Sequence, residues 1–176
     1  MYEDTLTKAE VAVDRYVMGF LFSEDLENVV LITKDHPDWM KGKRNGVGGK
    51  IQPGEEPLHA MIREFGEEAG LYINKWVEFA LLRGHGFQVQ IYHAVEPLKV
   101  IQAARTMTNE KIAVVKLVEF GTPDVPGSAE PNYLANLKWL ILMSLSILNK
   151  KESASYFEII EHKPLPVAQV VPAPKL

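Results

Sequence analysis

The chain has 176 residues, enough for one compact domain with little left for a second. Hydrophobic residues make up 47% and charged residues 24%, a balance that excludes wholesale disorder and fibrous repeats. The absence of cysteine excludes disulfides, zinc thiolates and cysteine nucleophiles, and a net charge of -4 lacks the basic footprint of a general nucleic-acid binder.

The first residues, Met1-Tyr2-Glu3-Asp4, are acidic and do not start a secretory signal. Val11 to Phe22 and Val29 to Thr33 are rich in β-branched, aromatic and aliphatic residues, with the polar turn Ser23-Glu24-Asp25 between them, so they predict a β-hairpin. A polar, basic loop runs from Lys34 to Arg44. Asn45 to Gln52 is glycine-rich, and Pro53-Gly54 closes it with a turn. Pro57 to Ala69 reads as a helix, with Pro57 suited to its first position and Gly70 to the left-handed residue past its end. Trp76 to Arg83 and Phe87 to Val95 predict a second strand pair around Gly84-His85-Gly86. Lys111 to Phe120 is β-prone, Tyr133 to Asn149 predicts a mostly buried helix, and Tyr156 to Glu161 a short final strand. The apolar run Trp139 to Leu148 is about half the ~20 residues needed to cross a bilayer, so a soluble, cytoplasmic protein without a membrane partner is expected.

From Lys163 the chain carries four prolines in fourteen residues, which predicts an extended tail over 163–176 behind a domain of residues 1–162. Helices interrupt the strands instead of alternating with them. That pattern predicts an α+β fold with a mixed sheet.

The helix over 57–69 is chemically distinctive. With Glu64 at zero on a wheel of about 100° per residue, Glu67 falls at about 300° and Glu68 at about 40°. Leu58, Met61, Ile62, Phe65 and Ala69 fall between about 60° and 160°. One face can therefore pack on a sheet while its neighbour presents three carboxylates. A solvated acidic face is the ordinary reading of such a run. Here the carboxylates repel at i, i+3 and i+4, and two of them crowd the helix C-terminus, where the dipole disfavours anions. Hard divalent cations, which take oxygen ligands and bridge carboxylates to phosphates, account for the arrangement. Arg63 can steady a carboxylate by a charge-assisted hydrogen bond. Gly48-Gly49-Lys50, otherwise a simple turn, can bring a backbone carbonyl to a metal and a lysine to a phosphate.

Gly49 to Leu71 resembles the complete Nudix box, G-x5-E-x7-R-E-U-x-E-E-x-G-U, where U is a large apolar residue. Gly49, Glu55, Arg63, Glu64, Phe65, Glu67, Glu68, Gly70 and Leu71 fill every fixed position. The resemblance implies a Nudix-type α/β/α sandwich and hydrolysis of a nucleoside diphosphate linked to another group. It implies Mg²⁺ or Mn²⁺ held by Glu64, Glu67, Glu68 and the Gly48 carbonyl, with Arg63 orienting the carboxylates, Lys50 approaching the phosphates and Glu55 in support. The implied chemistry is attack of a metal-activated water on phosphorus.

Arg44 to Gln52 is similar to the segment that enters the box in MutT-type 8-oxo-dGTP diphosphatases, most closely to the W-N-G-F-G-G-K-V-Q form of the eukaryotic oxidised-purine triphosphatases, in which the asparagine reads the purine edge. By that resemblance Asn45 is the candidate base reader, with a turn residue before Gly46 as its other reading, while Arg44 stands where those enzymes carry tryptophan. Thr108-Asn109-Glu110-Lys111 resembles the loop that places a further acidic residue near the metals, which makes Glu110 a candidate ligand or base, with an ordinary surface-loop residue as the other reading. Pro131-Asn132-Tyr133 and Asn136 to Leu142 resemble the helix that closes the base pocket, which makes Tyr133 a candidate to stack on the base and Asn136 to bond to it, with core or surface positions as the other reading. Trp39 is a candidate either to stack on a base or to anchor its loop. The expected activity is pyrophosphohydrolysis of a nucleoside triphosphate, such as 8-oxo-dGTP, to the monophosphate and pyrophosphate. Another nucleoside-diphosphate-X substrate (a dinucleoside polyphosphate, ADP-ribose or a nucleotide sugar) is the second expectation, with Phe87 in the region where dinucleoside polyphosphate enzymes often carry tyrosine. A non-catalytic binding module is the third. The expected partner is a small nucleotide and not a nucleic-acid polymer, for a monomer or homodimer.

Overall fold

The computed structural model describes residues 13–118, 133–150 and 156–160. The apolar stretch that ends at Phe22 forms β1 (Asp14–Ser23), and a turn in which Leu26 N–H bonds to the Ser23 carbonyl reverses it into the antiparallel β2 (Asn28–Thr33). A 3₁₀ turn over Asp38–Met40 and the short β3 (Arg44–Asn45) follow. Helix α1 (Pro57–Ala69) begins on its proline and ends at Gly70, whose φ of 71° is left-handed. Then come β4 (Val77–Gly84), β5 (Phe87–Glu96), the short α2 (Leu98–Ile101), β6 (Lys111–Lys116), α3 (Leu137–Lys150) and β7 (Phe157–Ile160). Among the described residues the strands make one seven-stranded sheet in the order β3-β2-β1-β5-β4-β7, with β6 along β2. Pairs β1/β5 and β4/β7 are parallel and the others antiparallel, so the sheet is mixed.

Strand side chains alternate between faces, and this sheet buries both. Along β1, Val17 and Leu21 join Ala60, Met61, Phe65 and Ala69 of α1 and Ile101 of α2. Met18, Phe20 and Phe22 join Leu137, Leu140 and Ile141 of α3 on the other side. Helices on both faces make this an α/β/α sandwich. A Cβ on Gly19 would lie 2.8 Å from the Met61 sulfur, so α1 closes on the sheet where β1 has no side chain. Phe65 is fully buried, with its ring centroid 5.0 Å from that of Trp76.

Several elements differ from the sequence expectation. Arg44–Asn45, expected in loop, pairs with Thr33 and Ile32 of β2. The short α2 and the 3₁₀ turn were not anticipated. Leu58, expected on the apolar face of α1, is exposed, whereas Ala60 and Gly66 are buried. The second long helix starts at Leu137 and not at Tyr133, because Tyr133 bridges to Arg44 and Leu134 N–H bonds to the Arg44 carbonyl at 3.1 Å. Backbone paired to a strand cannot also coil. The expected strand end at Glu119–Phe120, the residues Pro131 and Asn132, and the tail from Lys163 lie outside the described residues. Among the described residues no helix is long and apolar enough to cross a membrane.

Candidate active site

The segment entering α1 crosses between two strands. It pairs first with β2 through Arg44 and Asn45, then with β1 through Val47–Gly19 and Lys50–Tyr16 bridges. Val17 N–H bonds to the Gly49 carbonyl at 2.9 Å and Ile51 N–H to the Arg15 carbonyl at 2.9 Å. This crossing needs bare backbone. Gly48 has φ 154°, and a Cβ there would lie 2.2 Å from the Val17 carbonyl oxygen. A Cβ on Gly49 would lie 2.5 Å from the Glu64 carboxylate, so that glycine leaves the space the carboxylate fills.

Arg63 organises one half of the carboxylate face. Its guanidinium donates to both oxygens of Glu55 (2.8 and 2.9 Å), to Glu64 (2.8 Å), to Glu67 (3.1 Å) and to the Lys50 carbonyl (3.2 Å). The Arg63 bonds hold the Glu55 carboxyl down at about 2, against a smaller upward push from burial. Glu55 therefore works as the anchor of the arginine.

The other half centres on Glu68, which accepts a bond from Gly48 N–H at 3.1 Å. Glu110 lies across from it, accepting from the Asp35 N–H at 2.7 Å. The Lys34 ammonium bonds to Glu110 and stands 3.6 Å from Glu68. Burial is the largest influence on Glu68 and pushes its carboxyl up to about 7; Lys34 and Gly48 oppose the shift, and the charges of Glu110 and Glu64 add to it. Glu110 also feels burial most among single causes, but the Lys34 and backbone bonds outweigh it and leave its carboxyl lowered.

A cavity of about 860 Å³ opens beside this face. Asn45, Gly48, Lys34, Trp39, Asn136 and Trp139 all contribute to its wall. The Asn45 side-chain oxygen is buried with no hydrogen-bond partner. Trp39 is 63% exposed, on the 3₁₀ turn at the cavity edge. Tyr133 sits apart from that wall, which is made in its neighbourhood by Leu134, Ala135 and Asn136; its ring lies 5.8 Å from the Arg44 guanidinium. Lys50 directs its ammonium to Asp14 at 2.6 Å. The structure thus gathers Arg63, Glu64, Glu67, Glu68, Glu110 and Gly48 at one place, with Asn45, Trp39 and Asn136 around the adjoining cavity. Sequence reasoning passed over Lys34 and Trp139. Lys34 is one cation in a mixed-charge loop, and nothing local marks it out.

Among the described residues no three His, Cys, Asp or Glu side chains converge as a ready-made cage; the carboxylates engage Arg63 and Lys34 instead. The donor set still fits a hard divalent cation. It is all oxygen, it surrounds bare glycine backbone, and at Glu68 and Glu110 an ammonium already stands in for a cation.

The Nudix domain family profile matches residues 13–162, and the chain belongs to that family of hydrolases. Nudix hydrolases act on small nucleotide substrates and generally need divalent cations. Among solved structures the chain is similar to a MutT chain from work on Aliivibrio salmonicida and Vibrio cholerae, at 20% identity and TM-score 0.56, over 73% of this chain and 97% of that one. It is similar to MutT of Bacillus halodurans at 19% identity and TM-score 0.57, over 84% and 90%. It is also similar to the Nudix domain of Shewanella oneidensis NrtR, complexed with ADP-ribose, at 17% identity and TM-score 0.63, over 84% and 99%. No curated protein sequence matches the chain. At these identities the likeness carries the fold.

Proposed function

We propose that this protein is a metal-dependent pyrophosphohydrolase of purine nucleoside triphosphates, oxidised forms such as 8-oxo-dGTP included, releasing the monophosphate and pyrophosphate. The observation that carries the reading is the buried, unpaired Asn45 oxygen on the wall of a cavity beside the box. A buried acceptor without a donor is costly, and a purine edge supplies donors. Oxidation of guanine at C8 turns N7 from an acceptor into an N–H donor, the complement of an amide oxygen. Trp39 offers a face for stacking at the same cavity.

Glu64, Glu67, Glu68 and the Gly48 carbonyl would hold Mg²⁺ or Mn²⁺, with Glu110 beside them. When bound, such a cation polarises phosphate oxygens and neutralises charge on the departing pyrophosphate. The chain's own residues prepare the place for it. Arg63 fixes the Glu64 and Glu67 rotamers, Glu55 fixes Arg63, and backbone N–H groups fix Glu68 and Glu110. The bare backbone of Gly48 and Gly49 lets phosphate approach closely. A nucleoside diphosphate carrying another group X is a second reading, because Leu82, Phe87, Val89 and Trp139 also line the cavity and offer apolar surface to a second moiety.

Asn45→Ala tests the base assignment. Its kcat/KM should fall for 8-oxo-dGTP, dGTP and dATP by the ~1–3 kcal/mol of an unpaired polar group, with a much smaller fall for dCTP. Metal dependence should stay where it is. An equal fall for all four nucleotides would assign Asn45 to loop structure alone and remove the purine reading.

A further inference from the structure

Lys34 leaves the end of β2 on a backbone held from both sides. Its N–H bonds to the Lys43 carbonyl at 2.9 Å, and its carbonyl accepts from Gly42 N–H at 2.8 Å. The side chain contributes to the cavity wall and ends between two carboxylates from distant parts of the chain, Glu68 of α1 and Glu110 ahead of β6. The three side chains are only 15%, 12% and 13% exposed. One ammonium faces two carboxylates here, with Glu64 adding to the negative field at Glu68. A divalent cation brings twice the charge to the same oxygens and repels the ammonium as it arrives. Because Lys34 already borders the cavity, its displaced ammonium has an anionic destination once a nucleotide lays its phosphates between cavity and box.

We propose that Lys34 is the internal counter-ion of the metal site: its ammonium holds Glu68 and Glu110 in place until a divalent cation displaces it, and the freed ammonium then binds substrate phosphate. The inference rests on the metal-dependent reading above and adds to it a residue that serves the metal site first and the substrate afterwards. Its consequence is cooperativity. Metal binding alone must displace the lysine, whereas metal binding with nucleotide present gives the lysine a new partner, so each ligand tightens the other. A purely structural ion pair behaves differently: losing it disorders Glu68 and Glu110 and leaves metal affinity the same or lower.

Lys34→Met keeps the length of the stem and removes the charge. Mn²⁺ affinity, measured calorimetrically without nucleotide, should rise roughly 5- to 10-fold, and the further tightening produced by a non-hydrolysable purine triphosphate should shrink by a similar factor. Lys34→Arg should keep the wild-type pattern. Unchanged or weaker Mn²⁺ binding by Lys34→Met overturns the inference, as does the absence of Mn²⁺ binding by both proteins. Should Lys34→Met fail to fold, the wild-type protein decides: the Lys34 ammonium resonance, assigned with Lys34→Arg, should shift on titration with Mg²⁺, and an unmoved resonance at saturation overturns the proposal. These readouts need no turnover. A protein that binds Mn²⁺ in this manner but hydrolyses no nucleotide would refute the proposed activity and leave the counter-ion standing.

Discussion

Glu67 and Glu68 sit side by side in sequence but meet different environments. Glu67 is 54% exposed and bonded to Arg63, while Glu68 is 12% exposed between Gly48 and Lys34. Glu67→Gln and Glu68→Gln each remove one charge at constant size. Turnover at saturating Mg²⁺ should fall at least ~10²-fold in both, the scale of a lost electrostatic contribution to the transition state. Folding should be unharmed, and Glu68→Gln should raise the melting temperature, since it relieves a buried charge that Glu64 and Glu110 already oppose. Wild-type turnover in either variant would remove that carboxylate from the site. At this scale the box carboxylates were readable from sequence because helical periodicity is local. Lys34 was not, because its partners Glu68 and Glu110 are far along the chain and only the fold brings them to it.

The glycine crossing and the third helix show how elements set the site. Gly48→Ala places a Cβ against the Val17 carbonyl and the Met18 Cα, backbone that cannot give way, and should cost at least about 2 kcal/mol of stability. Gly49→Ala meets only the far end of the Glu64 side chain. It should fold, with turnover reduced about 10²-fold by the displaced carboxylate. Equal melting temperatures for the two variants would refute this distinction. On the opposite face α3 docks through Ser144, whose hydroxyl lies 2.7 Å from His93 Nδ1, while the His93 ring stacks 5.0 Å from Phe79. Burial lowers the His93 pKa from 6.5 to about 4, so the folded state resists a proton that the unfolded chain accepts. Its contribution to stability is complete above pH 6.5 and is lost as pH falls from 6.5 toward 4, by up to about 3 kcal/mol. Urea unfolding at pH 7 and pH 5 should show the loss in wild type, and His93→Gln should show a flatter pH dependence.

At the scale of the molecule, two cores back one sheet among the described residues, and the cavity and carboxylate face adjoin where β1, β2 and the entry to α1 meet. The family match ends at residue 162, and Lys163 to Leu176 has no periodic apolar face in its sequence. A chain ending at His162 should therefore keep both its melting temperature and its hydrolytic rate. A marked loss of either would mean that the tail docks on the domain or on a second copy.

By itself the sequence determined the parts whose signals are short-range. Helix α1, with Pro57 at its start and Gly70 at its end, the hairpin pairs β1/β2 and β4/β5, and the carboxylate face of the box all follow from residues within a turn or two of one another. The tertiary structure decided what depends on distant partners. Arg44 became a strand residue because β2 lay beside it, and Tyr133 stayed extended because Arg44 claimed its backbone. The buried Asn45 oxygen, and the lysine set between Glu68 and Glu110, exist only once the sheet has closed. Periodicity carries the pattern along one element. Pairing, burial and charge neutralisation act between elements, and they placed the residues around the cavity.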